Sequence, residues 1–157
     1  MTPRQDTTKY MRSGLGRAML QLSHEVQTSG LERPLLELVK IRASQINGCA
    51  FCIDMHTKDA RVFGETEQRI YALNAWRETT FFTDRERAAL EWTEALTLVS
   101  QTHVPDEVYA QASAEFDEAA LIALTFAVMV INSWNRLSIA FRTPAGTYQP
   151  AAVATAP

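Results

Sequence analysis

The chain has 157 residues, 46% of them hydrophobic and 21% charged, with a formal net charge of −3. That length suits one well-packed domain and is short for two. With no basic cluster against the acidic balance, the composition leaves no footprint of a nucleic-acid or anionic-membrane binder.

Residues 1 to 7 are polar and expected to be flexible. From about Thr8 to Ser29, Met11, Leu15, Met19, Leu22 and Val26 recur at helical spacing, and Gly30 is a natural stop. Gly14 and Gly16 weaken the first turn. A second helix should run from about Arg33 to Gln45, with Pro34 near its first turn, where a missing N–H does no harm. Its apolar face is Leu35, Leu38, Val39, Ala43 and Ile46, and Glu37 falls at the polar edge beside Lys40 and Ser44. Asn47-Gly48 stops this helix, and a third is expected from about Cys49 to Phe63.

Thr66 to Leu73 reads as a short helix, followed by an irregular piece to Phe82. Thr83 to Glu86 is a capping-box pattern that opens a helix fading near Thr102. Pro105 begins another short one through Val108, Ala112 and Phe116. Asp117 then caps a long apolar helix through Leu121, Leu124, Val128, Ile131 and Trp134, toward Phe141. Its longest apolar run, Ala119 to Ile131, is too short to span a bilayer. The tail, residues 143–157, carries no charge and is expected to be flexible or pinned to a partner surface. No alternating strand, internal repeat or linker interrupts the pattern. The reading is a single all-α domain over residues 1–157, a bundle of six or seven helices.

The only cysteines, Cys49 and Cys52, are spaced C-x-x-C at the predicted start of the third helix, and His56 follows one turn on. At 100° per residue the three fall in one stripe with Ile53, Ala60 and Phe63, while Asp54, Lys58 and Arg61 lie opposite. The thiols and the imidazole therefore face inward. A helix N-terminus favours a thiolate, and two cysteines three apart on a helix are within disulfide reach. Helix-end electrostatics make Cys49 the lower-pKa and more accessible thiol. His56 could move a proton, and Glu37 could orient its ring.

Plainer readings stand beside these. The cysteines could be small buried hydrophobes, His56 a satisfied core residue, and Glu37 a solvated carboxylate. A zinc site of Cys49, Cys52, His56 and Glu37 lacks the second separated ligand pair usual in structural sites, so no metal is assigned. His24 and His103 stand alone. Asn132, Trp134, Asn135 and Arg136 put polar groups into the long apolar helix, for interhelical hydrogen bonding or to line the cysteine pocket; the former is the simpler. With no apolar signal segment near the N-terminus, a cytoplasmic location is expected, where a lone C-x-x-C is catalytic or metal-binding more often than structural.

A glutamate, eleven residues, C-x-x-C, three residues and a histidine, here Glu37, Cys49, Cys52 and His56 within LLELVKIRASQINGCAFCIDMHTKDAR, resembles the AhpD-like, carboxymuconolactone decarboxylase superfamily of all-helical proteins. The likeness covers most of residues 15 to 142. It implies a thiol-dependent alkylhydroperoxidase or disulfide oxidoreductase acting on a hydroperoxide or disulfide substrate, with Cys52 peroxidatic, Cys49 resolving, and His56 with Glu37 as a proton relay. It further implies a homotrimer or homohexamer, no tightly bound cofactor, and an external dithiol reductant such as a lipoylated or thioredoxin-like protein. One position departs: where the well-described peroxidase has a second histidine before the peroxidatic cysteine, this chain has Phe51. The competing functions are a carboxymuconolactone-type lactone decarboxylase, which needs no dithiol, and a non-enzymatic redox-sensing or metal-binding protein.

Overall fold

A computed structural model describes residues 2–150. Among these residues the chain forms eight α-helices and two 3-10 segments, with no strand. The helices are α1 (Gly14–Gln27), α2 (Arg33–Asn47), α3 (Ala50–Val62), α4 (Glu67–Ala72), α5 (Asp84–Thr97), α6 (Val99–Thr102), α7 (Asp106–Glu115) and α8 (Glu118–Phe141). The 3-10 segments are Thr8–Tyr10 and Leu73–Glu78. The eighth helix arises because the expected stretch from Asp84 to Thr102 breaks at Leu98, which leaves the helical region at φ −100°, ψ 30°. The first helix starts later than its periodicity suggests. Ser13 caps α1 by accepting from the Gly16 N–H, and Leu15, placed on the apolar face by the sequence pattern, is 85% exposed.

Helix α2 is the axis of the bundle and packs against α3, α5 and α8. From Leu35 to Ile41 every residue is buried. Its apolar side chains feed two clusters. Leu35, Leu36 and Val39 join α5, α7 and α8 around Trp92, Phe116 and Leu124, while Leu38 and Ile41 join Leu73, Trp76 and Phe82. Burying a leucine such as Leu36 stabilises the fold by about 1.5–3 kcal/mol. On the far side of α2, Glu94 of α5 accepts from Arg42 Nε at 2.7 Å, Trp76 Nε1 at 2.8 Å and Arg77 Nη1 at 2.6 Å.

Helix α8 runs on past the apolar stretch that looked too short for a bilayer. With 24 residues and a mean hydropathy of 1.4 over its most apolar window, it would be long and apolar enough to cross a membrane. Its burial is that of a core helix: Leu121, Leu124, Ala127, Val128 and Ile131 pack into the bundle. The described segments before the first 3-10 turn and after α8 fold back onto these helices. Arg4 N–H donates to the Phe141 carbonyl at 3.0 Å. The segment after α8 lies along α3, where Gly146 N–H meets Asp54 Oδ2 at 3.0 Å, Lys58 Nζ meets the Tyr148 carbonyl at 2.9 Å, and Tyr148 OH donates to Asp59 Oδ1 at 2.8 Å. The described part of the tail therefore covers α3 of its own chain. The expectation for residue 1 and residues 151–157 falls outside the described residues.

Gly48 links α2 to α3 at φ 71°, ψ 33°, in the left-handed region. Its N–H meets the Gln45 carbonyl at 3.3 Å and the Cys49 N–H meets the Ser44 carbonyl at 2.9 Å, a Schellman ending that turns the chain at once into α3. Gly48→Ala should lower stability by about 1–2 kcal/mol, because a Cβ disfavours this conformation. Gly14, at the start of α1 with open space around it, should respond oppositely, Gly14→Ala gaining roughly 0.4–1 kcal/mol. Urea denaturation of the two variants checks both signs; equal and unchanged midpoints would contradict this account of the Gly48 turn.

Candidate active site

The Gly48 turn sets the site. Cys49 becomes the N-cap of α3 in extended conformation at φ −86°, ψ 93°, without a side-chain cap bond, and Cys52 follows within the first turn. Both sulfurs are free thiols, 1% exposed, and lie 2.8 Å apart. Of the expected stripe, Cys52, His56 and Ala60 are buried and Ile53 and Phe63 half-buried; of the opposite set Arg61 is exposed, while Asp54 and Lys58 are half-buried beneath the segment after α8.

Opposite them, α2 contributes a buried carboxylate. Glu37 is 2% exposed, so the polar-edge placement and the solvated-carboxylate reading are both overturned. The wheel described a helix with one wet face, and α2 has none in this stretch. Glu37 Oε2 accepts from His56 Nδ1 at 2.8 Å, and Oε1 accepts from Lys40 Nζ at 2.7 Å. Burial alone would raise the Glu37 carboxyl, but the His56 hydrogen bond and the Lys40 charge outweigh it and hold it below its usual range. The group is thus an ionised acceptor that fixes the imidazole. Its Nδ1 carries the proton toward Glu37, leaving Nε2 for other work.

The two thiols are pushed apart in acidity. A hydrogen bond from Cys52 stabilises the Cys49 thiolate, and further ones from Asn135 and Ser138 help it against burial, bringing Cys49 down to about 7. Cys52 is raised, first by that same bond to Cys49, then by burial and by the Cys49 charge. Above a pH of about 7 the pair holds one proton, on Cys52. The electrostatic expectation for Cys49 therefore holds, with the neighbouring thiol as its main cause.

The expectation of greater access does not. A cavity of about 370 Å³ opens between the N-terminal segment, α1, α3 and α8, and Cys52 lines it whereas Cys49 does not. Cys49 lies behind, packed with Ala43 and Ile131. On the cavity wall Cys52 is joined by His56, Lys40 and Ser138, with Phe51, Met55, Ile131 and Trp134 as apolar lining. Ser138 Oγ lies 4.0 Å from Cys52 Sγ. Asp59, not singled out from the sequence, brings a carboxylate oxygen within 4.8 Å of ligand atoms of Glu37 and His56. Protein donors already engage this set: Lys40 and His56 on Glu37, Tyr148 on Asp59.

The polar residues of α8 serve both purposes considered for them. Asn135, fully buried, donates to Ser44 Oγ at 3.0 Å and accepts from Asn47 Nδ2 at 2.9 Å, so it ties α8 to α2 beside the thiols it also touches. Asn132 accepts from Asn47 at 3.0 Å and donates to Thr97 at 3.1 Å. Trp134 lines the cavity and donates to Ser23 Oγ at 2.9 Å. Arg136 turns back to the Asn132 carbonyl at 2.9 Å. His24 and His103 are exposed. Lys40 and Ser138 are the site residues that sequence reasoning missed. The one available signal was Lys40's position one turn after Glu37.

Comparison with known proteins agrees with this architecture. Residues 14–95 match the carboxymuconolactone decarboxylase family. The uncharacterized protein YdfG of Bacillus subtilis is 51% identical over 122 residues, 78% of this chain and 83% of YdfG. A crystal structure from Agrobacterium tumefaciens, of a protein of unknown function for which the role of antioxidant defence protein AhpD has been put forward, superposes with a TM-score of 0.89 at 38% identity, covering 94% of this chain and all of that one. A cysteine-to-alanine variant of the debrominase Bmp8, in complex with 2,3,4-tribromopyrrole, superposes with a TM-score of 0.77 over 94% of this chain and 79% of its own; at 18% identity the likeness is one of fold. The chain belongs to the carboxymuconolactone decarboxylase family, within the AhpD-like all-helical superfamily.

Proposed function

We propose that the protein is a thiol-dependent hydroperoxidase that cycles Cys49 and Cys52 between dithiol and disulfide. The observation that carries this reading is a thiol facing an apolar cavity with a second, more acidic thiol 2.8 Å behind it. On the same wall stands an imidazole fixed by a buried carboxylate. A lactone decarboxylase has no use for such a pair.

The chemistry follows from which sulfur holds the proton. As Cys52 attacks the terminal oxygen of a hydroperoxide, its proton passes to the Cys49 thiolate. The O–O bond breaks, hydroxyl goes to the Cys52 sulfur, and an alkoxide leaves. His56, held through Nδ1 by Glu37, passes a proton to that alkoxide through Nε2 and recovers one from solvent. Cys49 then attacks the Cys52 sulfenic acid, and its thiol proton leaves with the hydroxyl as water. Starting from one thiol and one thiolate, the cycle takes up one proton and yields disulfide, alcohol and water. An external dithiol, lipoylated or thioredoxin-like, returns two electrons by exchange. Because Cys49 is buried, the reductant must reach the disulfide at Cys52 from the cavity, or loosen the start of α3.

Dithiol-dependent consumption of an organic hydroperoxide tests this directly. The rate should rise with pH through Cys49 ionisation, because a depressed thiol pKa of about 7 makes the thiolate abundant above that pH and scarce below it. His56→Ala and Glu37→Gln should slow turnover by roughly 10²–10⁴-fold, and either cysteine-to-serine change should abolish catalytic cycling. Turnover that survives loss of a cysteine, or that ignores both relay substitutions, would sink the reading.

We also propose a homo-oligomer, a trimer or a hexamer built from trimers. Ile122, Phe126 and Met129 of α8 are 52%, 42% and 52% exposed and recur along one stripe, an apolar face of the kind that subunits cover. Sedimentation at micromolar concentration should give a species heavier than one chain; a monomer alone would contradict it.

A further inference from the structure

The hydroperoxidase reading leaves one buried charge at the cavity wall without a task. Lys40 is 8% exposed and lines the cavity with Cys52 and His56. An ammonium carries three N–H donors. Among the described residues, Lys40 Nζ has one hydrogen-bond partner, Glu37 Oε1 at 2.7 Å. The nearby carboxylates, Glu37 and Asp59, are absent from the cavity lining, where Lys40 brings its ammonium and His56 its imidazole to the space. That end of an otherwise apolar cavity is built for negative charge.

Negative charge develops there in one step, when the O–O bond breaks and an alkoxide leaves. We propose that Lys40 is a catalytic cation, whose ammonium, held at the wall by Glu37, donates to the departing alkoxide oxygen while His56 delivers the proton. The proposal rests on the hydroperoxidase reading and adds to it which bond Lys40 acts upon. Electrons and atoms balance as before: hydroxyl passes to Cys52, the bonding pair stays on the alkoxide, and the proton comes from His56. Lys40 changes no covalent bond. A donor in a water-poor cavity stabilises such an oxygen more than one in water would. Its effect must therefore grow with the basicity of the leaving group.

The test uses that dependence. Stopped-flow oxidation of the reduced full-length protein, read as thiol loss in a single turnover, is followed with cumene hydroperoxide and with peracetic acid. The first expels a basic alkoxide and the second a carboxylate that needs no help. Lys40→Met should slow the cumene hydroperoxide reaction by about 10²–10³-fold and the peracetic acid reaction by only about a few-fold, and Lys40→Arg should restore much of the loss. Circular dichroism and the denaturation midpoint establish that the variant is folded. The same substitution is repeated in a His56→Ala background, where a direct role keeps the selective loss. Equal losses for both oxidants overturn the proposal. So does a loss that vanishes without His56, because Lys40 would then act only through Glu37 and the imidazole. If the wild-type dithiol reacts with neither oxidant faster than free dithiothreitol, the hydroperoxidase reading falls and the Lys40 role with it.

Discussion

A helix buried on every side cannot keep polar residues unless its neighbours satisfy them, and α2 is such a helix. Leu35 to Ile41 are buried without a break, yet the run includes Glu37 and Lys40, and Ser44 follows one turn on. An unpaired buried charge costs several kcal/mol, and breaking a buried pair about 3–5. Glu37 must therefore find Lys40 and His56, and Ser44 must find Asn135. These bonds fix α3 and α8 against α2. They also put the imidazole beside the thiols, so the polar requirement of the core helix and the assembly of the site are the same set of contacts.

How much of this was legible in the sequence depends on which kind of pattern carried it. Caps and stops are local, and they read well: Gly48 ends α2, Thr83 to Glu86 forms the capping box of α5, and Asp117 caps α8. The inward stripe of α3 also survived at Cys52, His56 and Ala60, the three buried residues of that helix. Periodicity misled for α2, where total burial leaves no polar face for Glu37 to sit on. It misled again for Leu15, which is exposed at the first turn of α1, although Met19, Leu22 and Val26 of the same expected face do turn inward. Lys40 and Ser138 were invisible as site residues for a related reason. Their role comes from the cavity between α1, α3 and α8, a feature of packing that no single stretch encodes.

The cysteine pair shows two arguments each capturing half of the arrangement. Helix-end electrostatics put the acidic thiol at Cys49, but the structural cause is chiefly the hydrogen bond from Cys52. The likeness to the AhpD-like proteins assigned attack to Cys52, and it is Cys52 that faces the cavity. The two fit together if the buried thiolate serves as the base for the thiol in front of it. The greater accessibility expected of Cys49 is absent, so exchange with a reductant must begin at Cys52 or at a frayed α3 start.

The most direct measurement is to locate the first oxidised sulfur. Each single-cysteine protein, Cys49→Ser and Cys52→Ser, is treated with an organic hydroperoxide in the presence of a dimedone-type probe, and the modified peptide is identified by mass spectrometry. Cys52 in the Cys49→Ser protein should be trapped as its sulfenic acid, while Cys49 in the Cys52→Ser protein, shielded behind position 52, should label far more slowly. Faster labelling of Cys49 would mean that acidity, and not access to the cavity, selects the attacking sulfur, and Cys52 could no longer be held to be the residue that meets the peroxide.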